Sequence, residues 1–321
     1  MTQTTSQRTA PEQVPAPDII AATGLLKMYG DFAAVNGISF AVRPGEFFGL
    51  LGPNGAGKTT TIRMITCVSP VTGGELLVDG MPVQEAPREI KSLLGVVPQE
   101  NNLDAELSVR QNLRVFARYF DLPSKEAEHR IDEVLNFFQL AEKQNDRIDE
   151  LSGGLKRRLT IARGLINAPK IMILDEPTTG LDPQAKHLVW QKLRQLRTRG
   201  VTMLLTTHYM DEAEHLCDRI VIMDHGKIIA EGTPRGLIDE HAAEDVVEVH
   251  MGGNDPAPVM NELMRHSDLR IERFEDILYV YKPRDSVFEP KRIEGLVDRL
   301  VYRRANLEDV FLKLTGRALV E

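Results

Sequence analysis

The chain has 321 residues, 42% of them hydrophobic and 27% charged, which is the composition of an ordinary globular protein and excludes a fibrous, disordered or membrane-embedded one. Its 39 Lys and Arg against 47 Asp and Glu give a net charge of -8, which argues against a nucleic-acid partner. The length fits one large α/β domain with a smaller appended domain.

Cysteine usage and hydropathy predict a protein of the reducing cytosol. Cys67 and Cys217 are the two cysteines, they form no CxxC pair, and no secretory signal is recognisable, so disulfides are not expected. Each apolar run is far shorter than the roughly 18 residues of a membrane helix. Any membrane attachment is therefore expected to come through a partner.

The first part of the chain leads into a glycine-rich loop. Residues 1–17, rich in Thr, Gln and Pro, are predicted to be a disordered tail. Residues 19–42 are typical of β-strands around a Gly30-Asp31 turn, and a short apolar strand follows at 46–51.

The glycine-rich loop matches the pattern GxxxxGK[ST] between a strand and a helix. Its residues are Gly52, Pro53, Asn54, Gly55, Ala56, Gly57, Lys58 and Thr59. In such a loop, backbone N–H groups surround phosphates at a helix N-terminus, and the lysine reaches the β- and γ-phosphates. We expect Thr59 to ligate Mg²⁺ and Thr60 to contact the nucleotide; an ordinary glycine turn is the alternative.

The middle of the chain predicts an inserted helical subdomain at about residues 100–167, since apolar residues recur at helical spacing between Val109 and Phe138. The apolar strand at 171–174 then delivers Asp175 and Glu176 to its C-terminal end, where ligands bind in α/β sheets. We assign Asp175 to Mg²⁺ and Glu176 to proton acceptance from the attacking water. On its own, an Asp-Glu pair after a strand is more often a solvated loop.

The rest of the chain predicts a helix opened by Asp182-Pro183, a strand at 201–206, and a change of pattern near residue 234. Alternating strands and helices imply a mainly parallel sheet covered by helices. Residues 240–321 are expected to form a small α+β domain, with strands near 246–251 and 278–281 and helices near 260–264 and 307–312.

A second anion site is predicted at Ser152, Gly153 and Gly154, which follow Leu151 and open a helical pattern. With this tetrapeptide, the chain resembles ABC ATPases, a class of P-loop NTPases, over about residues 20–235. The resemblance implies an antiparallel β part beside the parallel sheet. It also implies that Ser152 grips the γ-phosphate of ATP held by the opposite protomer.

The resemblance extends to four further residues, which occur along the chain in the same order as the corresponding motifs of that family. It implies that Tyr29 stacks on adenine, that Gln99 contacts the metal or attacking water, that Asp182 bridges protomers and that His208 touches the γ-phosphate. Leu155 departs from the family, where many members have Gln, but the phosphate contacts come from the three residues before it. The runs at 155–158 and 307–312 are similar to the branch of daunorubicin-type drug exporters and nodulation-factor exporters.

An acidic segment after His208 contains possible metal ligands, but it lacks a recognised ligand spacing, so no metal site is expected there. Its candidate ligands are Asp211, Glu212, Glu214, His215 and Cys217. Acidic residues in the first turn of a helix are favoured by the helix dipole.

The resemblance implies an ATP- and Mg²⁺-dependent ATPase subunit of an exporter. It is expected to work as a homodimer with an integral-membrane permease of ABC-2 type, at the cytoplasmic face of the bacterial inner membrane. The ATPase domain is placed at 18–239 and an accessory or regulatory domain at 240–321. One alternative is an ABC ATPase acting on ribosomes, DNA or iron–sulfur assembly, but tandem cassettes, a coiled-coil insertion or a basic linker would be expected there. A nucleotide sensor without turnover would need a broken site. The cargo is not encoded in these motifs.

Overall fold

The structure is a computed structural model that describes residues 17–242, 245–283 and 285–315. The tail predicted at residues 1–17 lies, apart from residue 17, outside this range. The strands of the described part are β1 (Ile20–Tyr29), β2 (Phe32–Val42), β3 (Phe47–Leu51), β4 (Gly73–Val78), β5 (Met81–Pro82), β6 (Leu94–Val97), β7 (Ile171–Asp175), β8 (Thr202–Thr207), β9 (Arg219–Asp224), β10 (Lys227–Gly232), β11 (Asp245–His250), β12 (Arg270–Phe274), β13 (Ile277–Lys282) and β14 (Arg299–Arg304). The helices are α1 (Lys58–Ile65), α2 (Pro87–Leu93), α3 (Val109–Tyr119), α4 (Ser124–Phe137), α5 (Gly153–Gly164), α6 (Pro183–Thr198), α7 (Met210–Leu216), α8 (Pro234–His241), α9 (Pro256–Leu263) and α10 (Leu307–Thr315).

A six-stranded sheet in the order β10-β9-β3-β8-β7-β6 forms the centre of the molecule. Its strands pair in parallel, except for β10, which pairs antiparallel with β9. Every residue of β3, β7 and β8 is buried, as expected for parallel strands covered on both faces. Since β3, β7 and β8 run in the same direction, Leu51, Asp175 and Thr207 end at one edge of the sheet. That edge is where the predicted phosphate loop, acidic pair and His208 follow.

A second, antiparallel sheet in the order β2-β1-β4-β5 lies beside the first. Phe40 of this sheet stacks on Phe48 of β3 with ring centroids 5.7 Å apart. The strands β1 and β2 meet at the predicted Gly30-Asp31 turn. The predicted fold class, a mainly parallel sheet with an antiparallel β part, is confirmed.

The predicted helical region at 109–138 is split into α3 and α4. Ser108 and Gln111 form a capping box that begins α3. Pro123 stands at the N-cap position of α4, and the residue before a proline disfavours helical backbone, which explains the break.

The C-terminal part contains an antiparallel sheet in the order β12-β13-β11-β14. Helix α9 begins earlier than the predicted 260–264 because Asp255 caps it and Pro256 occupies its first position. Phe311 of α10 belongs to the same buried cluster as Met210 of α7 and Leu237 of α8. The C-terminal sheet is therefore joined through α10 to the helix that follows His208.

In the part of the chain that the structure describes, no helix is both long and apolar enough to cross a membrane.

Candidate functional site

The phosphate loop connects the end of β3 to the start of α1. Gly57 adopts a φ of 105°, and a Cβ at this position would lie 2.6 Å from the carbonyl oxygen of Ala34. Such a contact excludes any larger residue without movement of the backbone. The helix starts at Lys58, because Gly57 makes the turn into it.

The N-terminus of α1 is suited to an anion. No side chain caps it, and its first turn carries no acidic residue. Lys58 is buried, and its Nζ donates hydrogen bonds to the carbonyls of Gly52 at 2.7 Å and Pro53 at 3.1 Å. Burial lowers the pKa of Lys58, while the nearby carboxylates of Glu176 and Asp175 oppose this shift.

Asp175 lies at the end of β7 with its carboxylate buried. The hydroxyl of Thr206 on β8 donates to Asp175 Oδ1 at 2.5 Å. Burial raises the pKa of Asp175, and this hydrogen bond opposes the rise. Thr206 was missed by sequence reasoning because nothing in the sequence shows which residue of β8 pairs with Asp175.

Three predicted residues that are far apart in sequence meet at Glu176. Gln99 Nε2 donates to Glu176 Oε2 at 3.1 Å, and His208 Nδ1 lies 3.1 Å from Glu176 Oε1. The hydroxyl of Thr179 donates to Oε2 at 3.2 Å. Because an ionised carboxylate only accepts, we assign the proton of His208 to Nδ1. Oε2 thus accepts two hydrogen bonds and Oε1 one, which leaves a lone pair of Oε1 for another donor.

A cavity of about 290 Å³ lies over the loop and collects most of the predicted nucleotide contacts. Its lining consists of Tyr29, Phe32, Ala34, Asn54, Gly55, Ala56, Gly57, Lys58, Thr59, Thr60, Gln99 and Glu176. The rings of Tyr29 and Phe32 are 49% and 65% exposed at its mouth. Phe32 was missed; an exposed aromatic directly after the Gly30-Asp31 turn was the available signal.

Two residues with oxygen donors of the kind that Mg²⁺ prefers, Thr59 and Gln99, line this cavity. Thr59 is exposed there, and Gln99 uses its nitrogen for Glu176, so its carbonyl oxygen is left for a metal. Asp175 does not line the cavity; its Oδ1 accepts from Thr206, and its other carboxylate oxygen is left for another partner. A hydroxyl, an amide oxygen and a carboxylate are donor types that Mg²⁺ prefers, and their assignment to Mg²⁺ stays a prediction.

The predicted second anion site lies apart from this cavity. Ser152 caps α5, as expected, with Oγ accepting from the Leu155 amide at 3.4 Å, and Ser152 and Gly153 are exposed. Gly154, partly buried, belongs to the first turn of α5, and Leu155 packs its side chain against the core. Asp182 caps α6 through the Ala185 amide at 2.9 Å. None of these residues lines the cavity over the phosphate loop.

A larger cavity of about 600 Å³ flanks the loop on the side of His208 and α7. It is lined partly by Asp211, Glu214 and His215, and by Asn306 and Glu308 of the C-terminal part. Of the two cavities, the smaller one contains Lys58 and the start of α1. Within the described residues, no three His, Cys, Asp or Glu side chains are grouped as metal ligands.

Two acidic residues of α7, Asp211 and Glu212, bind side chains of other segments. Asp211 accepts from Lys186 at 2.9 Å. Glu212 is fully buried, and its Oε1 accepts from Thr178 at 2.8 Å and Trp190 at 3.1 Å. Burial raises the pKa of Glu212. This carboxylate connects the helix after His208 to the segment after Glu176, and sequence reasoning gave it no such role.

Two family models match the chain. The model described as ABC transporter matches residues 35–179, and the C-terminal domain of nodulation factor export protein NodI matches residues 257–316. Nod factor export ATP-binding protein I of Burkholderia orbicola is 47% identical over 296 residues, covering 91% of this chain and 95% of that protein. The protein of the same name from Mesorhizobium japonicum is 46% identical over 320 residues, covering 99% and 93%.

Solved structures share the fold over about two thirds of the chain. The cbiO1 protein of Clostridium perfringens, part of the ABC transporter complex cbiONQ, is 30% identical with a TM-score of 0.65, covering 70% of this chain and 91% of its own. A dimeric ATP-binding cassette in a post-hydrolysis state, bound to ADP and Pi, is 27% identical with a TM-score of 0.60, covering 67% and 98%.

Proposed function

Because this chain belongs to the family of ABC transporter ATP-binding proteins that includes Nod factor export ATP-binding protein I, we propose that its cleft holds Mg-ATP and that Glu176 is the catalytic base. The chain is the ATP-hydrolysing subunit of an exporter. The observation that carries the assignment of the base is the meeting of Gln99, Glu176 and His208 over the phosphate loop.

ATP binding is assigned to the loop and the two aromatic rings. The backbone N–H groups of residues 54–60 hold the α- and β-phosphates, Lys58 holds the β- and γ-phosphates, and Tyr29 stacks on adenine. Thr59 and Asp175 would hold Mg²⁺, with Gln99 near it. When bound, Mg²⁺ neutralises charge that develops on the transferred phosphoryl group.

Hydrolysis requires that a water near the γ-phosphate lose its proton. Gln99 and Thr179 fix Oε2 of Glu176, while Oε1 has a lone pair left to accept that proton. His208 orients the same carboxylate through Oε1, and we assign to it the contact with the γ-phosphate. The side chains of this protein thus act by positioning and electrostatics, as is general in phosphoryl transfer.

The second anion site is assigned to a partner copy. ABC ATPase subunits dimerise and work with a membrane permease, and we assign a homodimer here. Its exposed Ser152, Gly153 and Gly154 would contact the γ-phosphate held by the other protomer, with Asp182 bridging the protomers. This explains why an exposed helix N-terminus free of acidic residues lies outside the cleft of its own chain.

The transporter context is also proposed. We place the ATPase domain at 18–239 and an accessory or regulatory domain at 240–321, and we assign a permease of ABC-2 type that holds the protein peripherally at the cytoplasmic face of the bacterial inner membrane. The similar relatives are named for Nod factor export, so Nod factor is the first cargo to test in a transport assay.

Replacing Glu176 by Gln tests the proposed site. Glu176→Gln keeps the shape of the side chain but removes the proton acceptor, so turnover should fall by at least about 10²-fold while ATP binding persists. ATP should then remain between protomers, and sedimentation should show a dimer only with Mg-ATP. Adding Ser152→Arg should abolish that dimer through bulk at the second anion site, whereas Lys58→Ala should weaken nucleotide binding within one protomer. A Glu176→Gln chain that stays monomeric with Mg-ATP and hydrolyses it at the parental rate would contradict both the base and the shared site.

A further inference from the structure

Arg157 is a buried arginine whose hydrogen bonds all go to backbone carbonyls. It lies on α5, five residues after Ser152, and its side chain is 3% exposed. Nε donates to the carbonyl of Pro177 at 2.5 Å. Nη1 donates to the carbonyls of Pro98 at 2.6 Å and Gln99 at 3.1 Å, and Nη2 donates to those of Asp175 at 3.1 Å and Glu176 at 3.0 Å. A guanidinium has five N–H donors in a rigid plane, so every donor of Arg157 has an acceptor.

These carbonyls belong to the two segments whose side chains meet at the candidate site. One segment carries Gln99 and the other carries Glu176, and Gln99 Nε2 donates to Glu176 Oε2 at 3.1 Å. Arg157 therefore fixes the backbone on both sides of that hydrogen bond.

The backbone of Glu176 needs such support. Its φ is 45°, in the left-handed region that non-glycine residues rarely adopt. Conformations of this kind persist where the surrounding structure fixes them from several sides. The amide of Glu176 donates to the carbonyl of Thr206 at 3.0 Å, and Arg157 binds its carbonyl.

The guanidinium stays charged in this environment. Burial lowers the pKa of Arg157 to about 10, and the carboxylates of Glu212, Asp175 and Glu176 oppose this shift. The direct partners of the guanidinium are nevertheless neutral carbonyls arranged around its plane. The geometry of these acceptors calls for the planar fork of an arginine rather than for a positive charge alone.

We propose that Arg157 is a positioning residue for ATP hydrolysis, which holds Gln99 and Glu176 in register from the helix that begins at Ser152. This inference rests on the role proposed for Glu176. It gives α5 two functions: its N-terminus faces outward as the second anion site, and its second turn sets the geometry of the base in its own chain.

The test compares Arg157→Lys with Arg158→Lys in the full-length chain. Lysine keeps the charge and the aliphatic stem but loses the fork, so Arg157→Lys should lower kcat by about 10²-fold, as a misplaced catalytic group does. The affinity for ATP, measured by equilibrium binding, should stay at the parental value because the phosphate loop is unchanged. Arg158, the matched control, donates instead to the carbonyl of Phe138 at 2.9 Å, which belongs to neither segment, so its replacement should change neither quantity.

Several results would overturn the inference. A parental kcat in Arg157→Lys would show that a positive charge at this position is enough for catalysis and that the planar fork is not needed. An equal loss of kcat and of ATP affinity would show that the substitution disturbs the whole nucleotide site. An Arg157→Lys chain that does not fold, as judged by circular dichroism, would assign the residue to stability instead. Glu176→Gln in the same assay separates the proposal that Glu176 is the base from the proposal that Arg157 positions it. If it hydrolyses ATP normally, the base assignment fails whatever Arg157 does, whereas an inactive Glu176→Gln beside an active Arg157→Lys refutes only the positioning role.

Discussion

Replacing Gly57 by Ala should destabilise the chain more than the same change at Gly55, two residues earlier in the phosphate loop. Both glycines have positive φ, 105° for Gly57 and 83° for Gly55. A Cβ at Gly55 would have no atom within 4 Å, whereas at Gly57 it would lie 2.6 Å from the carbonyl oxygen of Ala34. The pair therefore separates backbone strain from steric conflict.

The expected magnitudes follow from these two contributions. A residue held in a sparsely populated backbone region costs on the order of 1–3 kcal/mol, which is the expected loss of unfolding free energy for Gly55→Ala. Gly57→Ala adds an overpacking cost of about 1–3 kcal/mol because Ala34 belongs to a strand that cannot retreat freely. A difference of about 2 kcal/mol between the variants is roughly a 30-fold difference in the unfolding equilibrium.

Urea unfolding of the nucleotide-free chain, followed by tryptophan fluorescence, measures this difference. Trp190 is the single tryptophan of the sequence, and it is buried on α6 with its ring stacked on His215. The dependence of the free energy on urea should be the same in both variants, since the surface exposed on unfolding does not change. Equal losses in the two variants, or a smaller loss for Gly57→Ala, would refute the argument from the Ala34 contact.

Two further predictions concern the aromatic mouth of the cleft and the C-terminal part. Phe32→Ala should weaken ATP binding by about 10-fold, in line with the roughly 1–3 kcal/mol that stacking on a base contributes. The affinity for inorganic triphosphate, which has no base, should stay unchanged. If equilibrium binding shows equal weakening for both ligands, Phe32 does not contact the base. Asp309→Ala should destabilise the packing of α10 by about 3 kcal/mol, because Asp309 is buried and accepts from both Arg303 Nη atoms at 2.6 and 2.8 Å and from the Asn306 amide at 2.8 Å. Amide hydrogen exchange across residues 299–315 measures this local loss of stability. Glu308→Ala, at the exposed neighbouring residue, serves as the control, and equal exchange in the two variants would contradict the prediction.

The sequence by itself determined the parts of this protein that depend on local pattern. The strand, the glycines and Lys58 of the phosphate loop are contiguous, so their relation is set by covalent connection and local backbone geometry. The same holds for Ser152 and Asp182, whose roles as helix caps follow from their own and the next few residues. The fold class followed from the alternation of strands and helices, and the family from the order of motifs along the chain.

The tertiary structure decided the contacts between segments that are distant in sequence. Thr206 binds Asp175 because β8 pairs with β7 in one register, and the pairing of parallel strands leaves no signal in either strand alone. Glu212 looked like a helix-dipole residue, yet folding buries it against Thr178 and Trp190.

Arg157 shows the same limit most clearly. Next to the signature Leu151-Ser152-Gly153-Gly154 its sequence context is that of a basic helix face, and only packing turns its side chain inward onto five carbonyls of two other segments. Backbone carbonyls are present at every residue, so the sequence carries no mark of which ones an arginine will bind. The sequence determined which groups can do the chemistry, and the tertiary structure decided which residues hold them in place.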